Sequence, residues 1–176
     1  MKKLVIITHP NMEKSLVNNL WMRELKKHPK QFTVHPLYEK YPDGVIDIKY
    51  EQKLVEAHDI IIFQFPLYWF NCPPLLKQWL DEVLLHGWAY GSTGDKMRGK
   101  KLALAISAGI KEEDYREDGL YGVTIEQLCL PFKVTAQYIE AELIDIFTWY
   151  DVEYHPTPEV VQKSAKAYIE FALDLS

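Results

Sequence analysis

Three aromatic side chains, Tyr68, Trp69 and Phe70, stand side by side directly after an apolar segment. That segment, residues 60–65, is almost wholly apolar, which is typical of a strand covered on both faces of a parallel sheet. Pro66 ends the strand, because proline has no N–H to donate to a neighbouring strand. Loops at the carboxyl ends of parallel strands bind ligands, and a flat aromatic ligand suits these rings. Alternatively, the rings fill the core or a contact between two copies, although three successive side chains cannot all face one core.

Two polar residues flank the loop after the first predicted strand. His9 opens this loop, and Ser15 stands where a helix is predicted to begin. A helix N-terminus offers free N–H groups and a partial positive charge, which suit a phosphate group. The alternative is that Ser15 is an ordinary helix cap and His9 a surface residue. The sequence has neither a GxGxxG fingerprint nor a P-loop, so a nucleotide bound as in dinucleotide folds is not expected.

A third loop follows the fourth predicted strand and begins with Ser107, Ala108 and Gly109. Because glycine has no side chain, the backbone here can approach a ligand closely. Tyr115 and Tyr121 follow in the same acidic segment, and a tyrosine hydroxyl can donate a hydrogen bond to a ligand. Both tyrosines can instead be ordinary surface aromatics.

Alternating strands and helices must position these loops. Apolar runs predict strands at residues 3–8, 32–37, 60–65, 101–107 and 142–150. Amphipathic segments predict helices at 15–28, 48–58, 73–86 and 159–173, and from about 124 with an interruption at Pro131. This alternation predicts an α/β fold, namely a flavodoxin-like, doubly wound, five-stranded parallel sheet of order 2-1-3-4-5. In that order the three loops meet over one crevice between strands one and three, within a single domain spanning residues 1–176.

Composition excludes several classes of protein. The chain has 176 residues and a net charge of −5, which disfavours nucleic acid as the main partner. No apolar run is long enough to span a membrane, and the amino terminus is better explained as a first strand than as a signal peptide. Cys72 and Cys129 are too far apart for a metal or redox motif, so we expect no metal site and a cytoplasmic location.

Three segments together resemble the NAD(P)H:quinone oxidoreductase family. They are HPNMEKS after strand one, FPLYWFNCPPLLKQWLDEVLLHGWAYG in the centre, and a Ser-Ala-Gly turn after strand four. The resemblance covers nearly the whole chain. It implies a flavodoxin-like homodimer that binds one FMN per subunit at the dimer interface, with FAD also possible, and that uses NAD(P)H as co-substrate.

The resemblance also implies roles for individual residues. The flavin phosphate end would be held by His9, Ser15, Leu16 and Asn18. The isoalloxazine would be lined by Pro66, Leu67, Tyr68 and Trp69, with Phe70 beside them, and its pyrimidine edge reached by Ser107, Ala108 and Gly109. Tyr115 matches a family tyrosine that contacts the acceptor, and Tyr121 stands where mammalian members have a histidine. The chain departs from the family's Thr-Thr-Gly-Gly, since it has Ser-Ala-Gly-Ile at residues 107–110.

Together, these features of the resemblance imply that the protein is a flavin-dependent reductase. Two electrons would pass as a hydride from NAD(P)H to the flavin and then to a quinone or similar small acceptor, in a ping-pong sequence. An alternative is a regulatory flavoprotein subunit that binds a membrane potassium-efflux protein. A one-electron flavodoxin shuttle is a third possibility, although such proteins are usually more acidic monomers.

The segment HGWAYG after the central helix carries two further aromatics, Trp88 and Tyr90. A helix that ends near His86-Gly87 would leave both rings in an exposed loop. Exposed Trp and Tyr are common at interface cores, so we expect them to wall the flavin pocket across a two-fold axis. The alternative is that both rings fold back onto their own domain.

Overall fold

The computed structural model describes residues 2–154 and 156–176 and contains one five-stranded sheet. Its strand order is β2-β1-β3-β4-β5, and all neighbouring strands are parallel. The predicted fold class and strand order are therefore confirmed. The strands are β1 (Lys3–Ile7), β2 (Phe32–Pro36), β3 (Ile60–Pro66), β4 (Lys101–Ser107) and β5 (Glu142–Trp149).

Helices cover both faces of the sheet. They are α1 (Leu16–Lys26), α2 (Leu37–Lys40), α3 (Ile48–Glu56), α4 (Pro74–Val83), α5 (Ile125–Leu128), α6 (Leu130–Tyr138) and α7 (Pro158–Asp174). Side chains of Ser15, Asp47 and Thr157 cap α1, α3 and α7 by accepting from backbone N–H groups. Pro131 lies in the first turn of α6, so the predicted interruption separates α5 from α6.

Two apolar layers enclose the sheet. Helices α1 and α7 cover one face, where Trp21 and Tyr168 are fully buried. Helices α3, α4 and α6 cover the other face, where Trp79 is fully buried. Every residue of β1 and β3 is buried as a result, which explains their unbroken apolar sequences. No helix in residues 2–154 or 156–176 is long and apolar enough to cross a bilayer.

The central helix is shorter than predicted. Helix α4 ends at Val83, because the Val83 carbonyl accepts from the Gln52 side chain at 3.0 Å and from the Leu85 N–H at 2.9 Å. A second difference is that α2 is a short helix where the sequence predicted only a loop.

The prediction that Trp88 and Tyr90 lie exposed side by side is wrong. Trp88 is half-buried, and its indole N–H donates to Glu56 Oε1 at 2.7 Å. The ring of Tyr90 packs against Tyr138 and His86, with centroids 5.1 and 5.5 Å apart. Both rings thus fold back onto their own subunit, because the early end of α4 turns the following segment toward α3 and α6.

Candidate functional site

The loops after β1, β3 and β4 begin next to one another. Thr8 N–H donates to the Gln64 carbonyl at 2.9 Å, which joins the ends of β1 and β3. Leu67 N–H donates to the Ser107 carbonyl at 2.9 Å, which joins the ends of β3 and β4. The predicted convergence at this edge of the sheet is therefore present.

The first loop leads into a capped helix N-terminus. Ser15 Oγ accepts from the Asn18 N–H at 3.1 Å, and the neighbouring Leu16 is 61% exposed. The first turn of this eleven-residue helix therefore presents backbone N–H groups beside open space, as an anion requires. His9 Nδ1 accepts from the Asn11 N–H at 3.1 Å, and burial lowers the pKa of His9. Its neutral ring thus carries the hydrogen on Nε2, which makes that atom a donor.

Asn18 lies beneath the crevice rather than on its surface. The residue is buried, and its Nδ2 donates to Ser107 Oγ at 2.8 Å. Its Oδ1 accepts from Gln64 Nε2 at 3.2 Å. Side chains from α1, β3 and β4 therefore form a polar floor under the site. The polar residue Gln64 within the apolar β3 was visible in the sequence, but its partners were not.

The three aromatics occupy a tight turn. Tyr68 and Asn71 face each other across it, and the two central residues, Trp69 and Phe70, have φ angles of 48° and 60°. A two-residue connection with both φ angles positive is a type I′ turn, which normally carries Asn-Gly. The Trp69 ring is 94% exposed and Tyr68 is 40% exposed, whereas Phe70 packs on the core. The turn therefore presents two rings outward and anchors itself with the third.

Phe70 joins the aromatic turn to the loop after β4. Its ring lies 4.9 Å from that of Tyr121 and 6.4 Å from that of Tyr115. Tyr121 is 37% exposed, while Tyr115 is buried, and burial raises the pKa of Tyr115 to about 12. The ring of Tyr150, directly after β5, lies 5.8 Å from that of Tyr115, and the sequence analysis missed this residue.

The segment after β5 also borders the site. Ala108 N–H donates to the Trp149 carbonyl at 2.8 Å, and the Val152 N–H donates back to the Ala108 carbonyl at 3.2 Å. A Cβ on Gly109 would lie 2.7 Å from Glu153 Oε2, so a larger residue there would displace the Glu153 side chain. Because β5 neighbours β4 in the predicted order, the strand order alone could have placed residues 150–154 beside Gly109.

The site as a whole suits a ligand with an anionic end and a flat aromatic end. Hydrogen-bond donors lie at His9 and in the first turn of α1. The exposed rings of Tyr68 and Trp69 lie on the turn after β3, which begins beside the end of β4. The predicted residues that come together here are His9, Ser15, Leu16, Pro66, Leu67, Tyr68, Trp69, Phe70, Ser107, Ala108, Gly109, Tyr115 and Tyr121, with Asn18 below them.

Proteins similar to this chain match it over nearly its whole length. A family model described as a flavodoxin-like fold matches residues 1–172. The chain is 50% identical over 171 residues to the uncharacterized NAD(P)H oxidoreductase YrkL of Bacillus subtilis (strain 168), covering 97% of each. It is 38% identical over 170 residues to the glutathione-regulated potassium-efflux system ancillary protein KefG of Salmonella paratyphi C (strain RKS4594), covering 97% of this chain and 92% of that protein.

Two solved structures share the fold over their full length. General stress protein 14 of Treponema denticola, in complex with FMN, has a TM-score of 0.94 and 46% identity, covering 100% of both chains. An NADPH-quinone reductase from P. pentosaceus has a TM-score of 0.89 and 28% identity, again covering 100% of both chains.

Proposed function

The chain belongs to the flavodoxin-like family whose model matches residues 1–172, and from this we propose that it is an NAD(P)H oxidoreductase that carries FMN and reduces a quinone or similar small acceptor. The observation that carries the proposal is that a capped helix N-terminus and an exposed aromatic turn lie at the same edge of the sheet. A phosphate suits the first and a flavin ring the second. The FMN complex of the Treponema relative supports FMN over FAD, and YrkL supports the use of NAD(P)H.

The residues of the first loop would hold the phosphate. Ser15, the first turn of α1 and Nε2 of His9 supply donors to an anion, and exposed Leu16 borders them. Pro66 and Leu67 start the aromatic turn, so that Tyr68 and Trp69 can cover the ring system.

The third loop would meet the edge of the ring. Ala108 N–H already donates to Trp149, which leaves the N–H of Gly109 for the ligand. A backbone N–H in this position would stabilise negative charge at the edge of the ring, as donors do in an oxyanion hole. FMN, when bound, supplies the chemistry of hydride acceptance and donation, and the protein supplies position and electrostatics.

Tyr115 would donate a hydrogen bond to the acceptor. Because burial raises its pKa to about 12, the hydroxyl keeps its proton throughout the physiological range. Tyr121 is more exposed and contacts the same Phe70 ring, so we assign it to the wall of the acceptor pocket. One crevice serves both substrates, so the oxidised nicotinamide leaves before the quinone enters, which is a ping-pong sequence.

Steady-state kinetics test this proposal. Rates measured at several fixed quinone concentrations against NADH and against NADPH should give parallel reciprocal plots, as ping-pong turnover requires. When the FMN-loaded protein is mixed with NAD(P)H without air and without quinone, the bound FMN should become reduced. Intersecting plots would contradict the ping-pong sequence, and a lack of turnover with every quinone would contradict the acceptor class.

A second candidate function follows from the similarity to KefG, a potassium-efflux ancillary protein. Under that hypothesis the chain binds a membrane potassium-efflux protein, and its flavin fold serves mainly for docking. Efflux measured in cells with and without the chain, alongside turnover of the purified protein, separates the two functions. Turnover without any effect on potassium efflux favours the reductase function. The similarity to an NAD(P)H oxidoreductase also disfavours the third possibility, a one-electron flavodoxin shuttle.

We assign the homodimer interface to α6 rather than to Trp88 and Tyr90. Leu130, Val134 and Tyr138 form an exposed apolar stripe on this helix, at 49%, 59% and 67% exposure. A crevice of about 290 Å³ between α4 and α6 connects this helix to the end of the aromatic turn. A second copy seated on this face would thus lie beside the site, and a two-fold axis would give two equivalent sites.

Sedimentation tests the dimer. Val134→Glu should produce monomers, because a charge at an apolar interface is desolvated without a partner. Val45→Glu is the matched control, since Val45 is 71% exposed and lies in the loop between α2 and α3. Equal sedimentation of both variants and the parent chain would place the interface elsewhere. A cytoplasmic location remains a prediction.

A further inference from the structure

A single side chain, that of Asn18, contacts the hydroxyls of two serines that belong to different loops of the candidate site. Its Nδ2 donates to Ser107 Oγ at 2.8 Å, at the end of β4. The same atom lies 3.4 Å from Ser15 Oγ, which also accepts from the Asn18 backbone N–H at 3.1 Å. One buried residue therefore joins the cap of α1 to the turn that carries Gly109.

Gln64 sets the orientation of the Asn18 amide. Gln64 Nε2 donates to Asn18 Oδ1 at 3.2 Å and to the Asn18 carbonyl at 3.3 Å. With the opposite amide orientation, two N–H donors would face each other at Gln64. The Nδ2 group of Asn18 is therefore directed at the two serines.

The hydrogen atoms of both serine hydroxyls remain available. A hydroxyl has one donor hydrogen and two acceptor lone pairs, and Ser15 Oγ already accepts twice, so its hydrogen points elsewhere. Ser107 Oγ accepts from Asn18, and its hydrogen has no acceptor among residues 2–154 and 156–176, although Ser107 is only 2% exposed. A buried donor without an acceptor costs free energy that a ligand can recover.

We infer that Asn18 is a positioning residue that directs the Ser15 and Ser107 hydroxyl hydrogens toward the phosphate end of bound flavin and thereby couples the contributions of the two serines to its binding. The inference rests on the proposed function. It assigns no contact between Asn18 and the ligand. A phosphate only accepts hydrogen bonds, so a Ser15 hydroxyl with both lone pairs occupied is preset to donate to it.

Asn18→Asp replaces the amide by a carboxylate of the same shape, so that the donor Nδ2 becomes an oxygen that accepts. Both serine hydroxyls would then donate to the carboxylate, because a carboxylate only accepts. Affinities for FMN and for riboflavin, which lacks the phosphate, are measured by fluorescence titration. We expect the FMN affinity to fall about tenfold or more and the riboflavin affinity about threefold. A purely structural role would lower both affinities by the same factor.

Asn19→Asp is the matched control for the added charge. Asn19 is the next residue of α1, and its Nδ2 donates to the Met12 carbonyl at 3.1 Å rather than to either serine. In a background with both Ser15→Ala and Ser107→Ala, Asn18→Asp should change the FMN-to-riboflavin affinity ratio no more than Asn19→Asp does. An equal ratio change for Asn18→Asp and Asn19→Asp in the parent chain would overturn the inference.

A second set of variants covers the case in which Asn18→Asp does not fold. Ser15→Ala, Ser107→Ala and the double variant leave Asn18 unchanged. Because one amide serves both serines, the double variant's FMN affinity should differ at least about threefold from the product of the single effects. If the change in FMN affinity of the double variant equals the product of the two single changes within about twofold, the coupling is overturned. Failure of the parent chain to bind FMN would instead overturn the proposed function.

Discussion

Tyr68 and Asn71 exchange two backbone hydrogen bonds, of 2.7 and 2.9 Å, around a turn whose central residues are Trp69 and Phe70. The backbone of both central residues is in the left-handed helical region, which costs a residue with a side chain about 1–2 kcal/mol relative to the right-handed region. Such costs concentrate at functional sites, where neighbouring structure compensates for them. Here the anchoring of Phe70 against Tyr121 offsets the strain and leaves Trp69 directed outward.

Replacing Trp69 should separate stability from ligand binding. Trp69→Asn relieves the left-handed strain and loses almost no packing, so we expect the free energy of unfolding to rise by about 1 kcal/mol. Flavin affinity should fall about tenfold, because an aromatic contact is lost. Urea denaturation and FMN titration measure the two effects.

Trp69→Val is the matched control for that substitution. It also removes the ring, but a β-branched residue tolerates positive φ poorly, so this variant should be less stable than Trp69→Asn. Equal stability of the two variants would show that the turn is not strained.

Strand β3 could be predicted from the sequence, whereas the conformation of the turn that follows it could not. The apolar run at residues 60–65 predicted a buried central strand, and the strand order followed from the alternation of elements. Left-handed φ angles at Trp69 and Phe70 could not be predicted, because bulky residues disfavour that conformation and only their neighbours impose it. The crevice was thus predictable, whereas the way in which the turn directs its rings was not.

Ser15→Asp should abolish the preference for a phosphate without harming the helix. Aspartate caps helices as well as serine does, so the unfolding free energy should stay within about 0.5 kcal/mol. The carboxylate would repel a phosphate at contact distance, so FMN affinity should fall at least about a hundredfold. Riboflavin affinity should change little, and Ser15→Asn, which caps without charge, is the control. Equal losses for FMN and riboflavin would place the phosphate elsewhere.

Tyr115→Phe should slow reduction of the acceptor only. Without the hydroxyl, kcat/KM for a quinone should fall about tenfold, or about 1.4 kcal/mol of transition-state stabilisation. Anaerobic reduction by NAD(P)H should keep its rate, and Tyr121→Phe should lower kcat/KM less than about threefold. Because the pKa of Tyr115 is raised to about 12, its donor role should persist from pH 7 to pH 10. Comparable losses in both half-reactions would contradict the assignment.

A buried carboxylate, that of Glu51 in α3, links α3 to β2, to the segment after α2 and to α4. It accepts from His35 Nε2 at 2.8 Å, Tyr41 Oη at 2.6 Å and Trp79 Nε1 at 2.8 Å. Burial raises the pKa of Glu51, but the hydrogen bonds and the charge of His35 outweigh burial, so the net pKa is lowered. Glu51 is therefore ionised in the folded protein.

Glu51→Gln should destabilise the fold by about 2 kcal/mol or more at pH 7, because one acceptor oxygen is replaced by a donor. A carboxyl with a lowered folded-state pKa contributes stability above its unfolded value of 4.5 that is lost as the pH falls toward the folded value. The stability gap between parent and variant should thus narrow below pH 4.5 in urea titrations. A gap that stays constant from pH 7 to pH 3.5 would show that Glu51 titrates normally.

Buried polar contacts limited prediction of the site. Ser15 was predicted as a cap because its type and position suffice for that role. Asn18 lies in the first turn of the same helix, where an outward amide is equally ordinary, and only the packed structure shows that Gln64 and Ser107 hold it inside. Trp88 has a partner on its own chain, the exposed Glu56, that its position just beyond a helix did not suggest.

The flavin content of the purified protein and its response to NAD(P)H test the central claim most directly. We expect one FMN per chain, whether copurified or bound from micromolar solution, with a yellow absorbance that NADH or NADPH bleaches in the absence of air. Addition of a quinone should then restore the absorbance. A chain that binds no flavin at micromolar concentration, or holds FMN that neither nicotinamide reduces, would contradict the proposal.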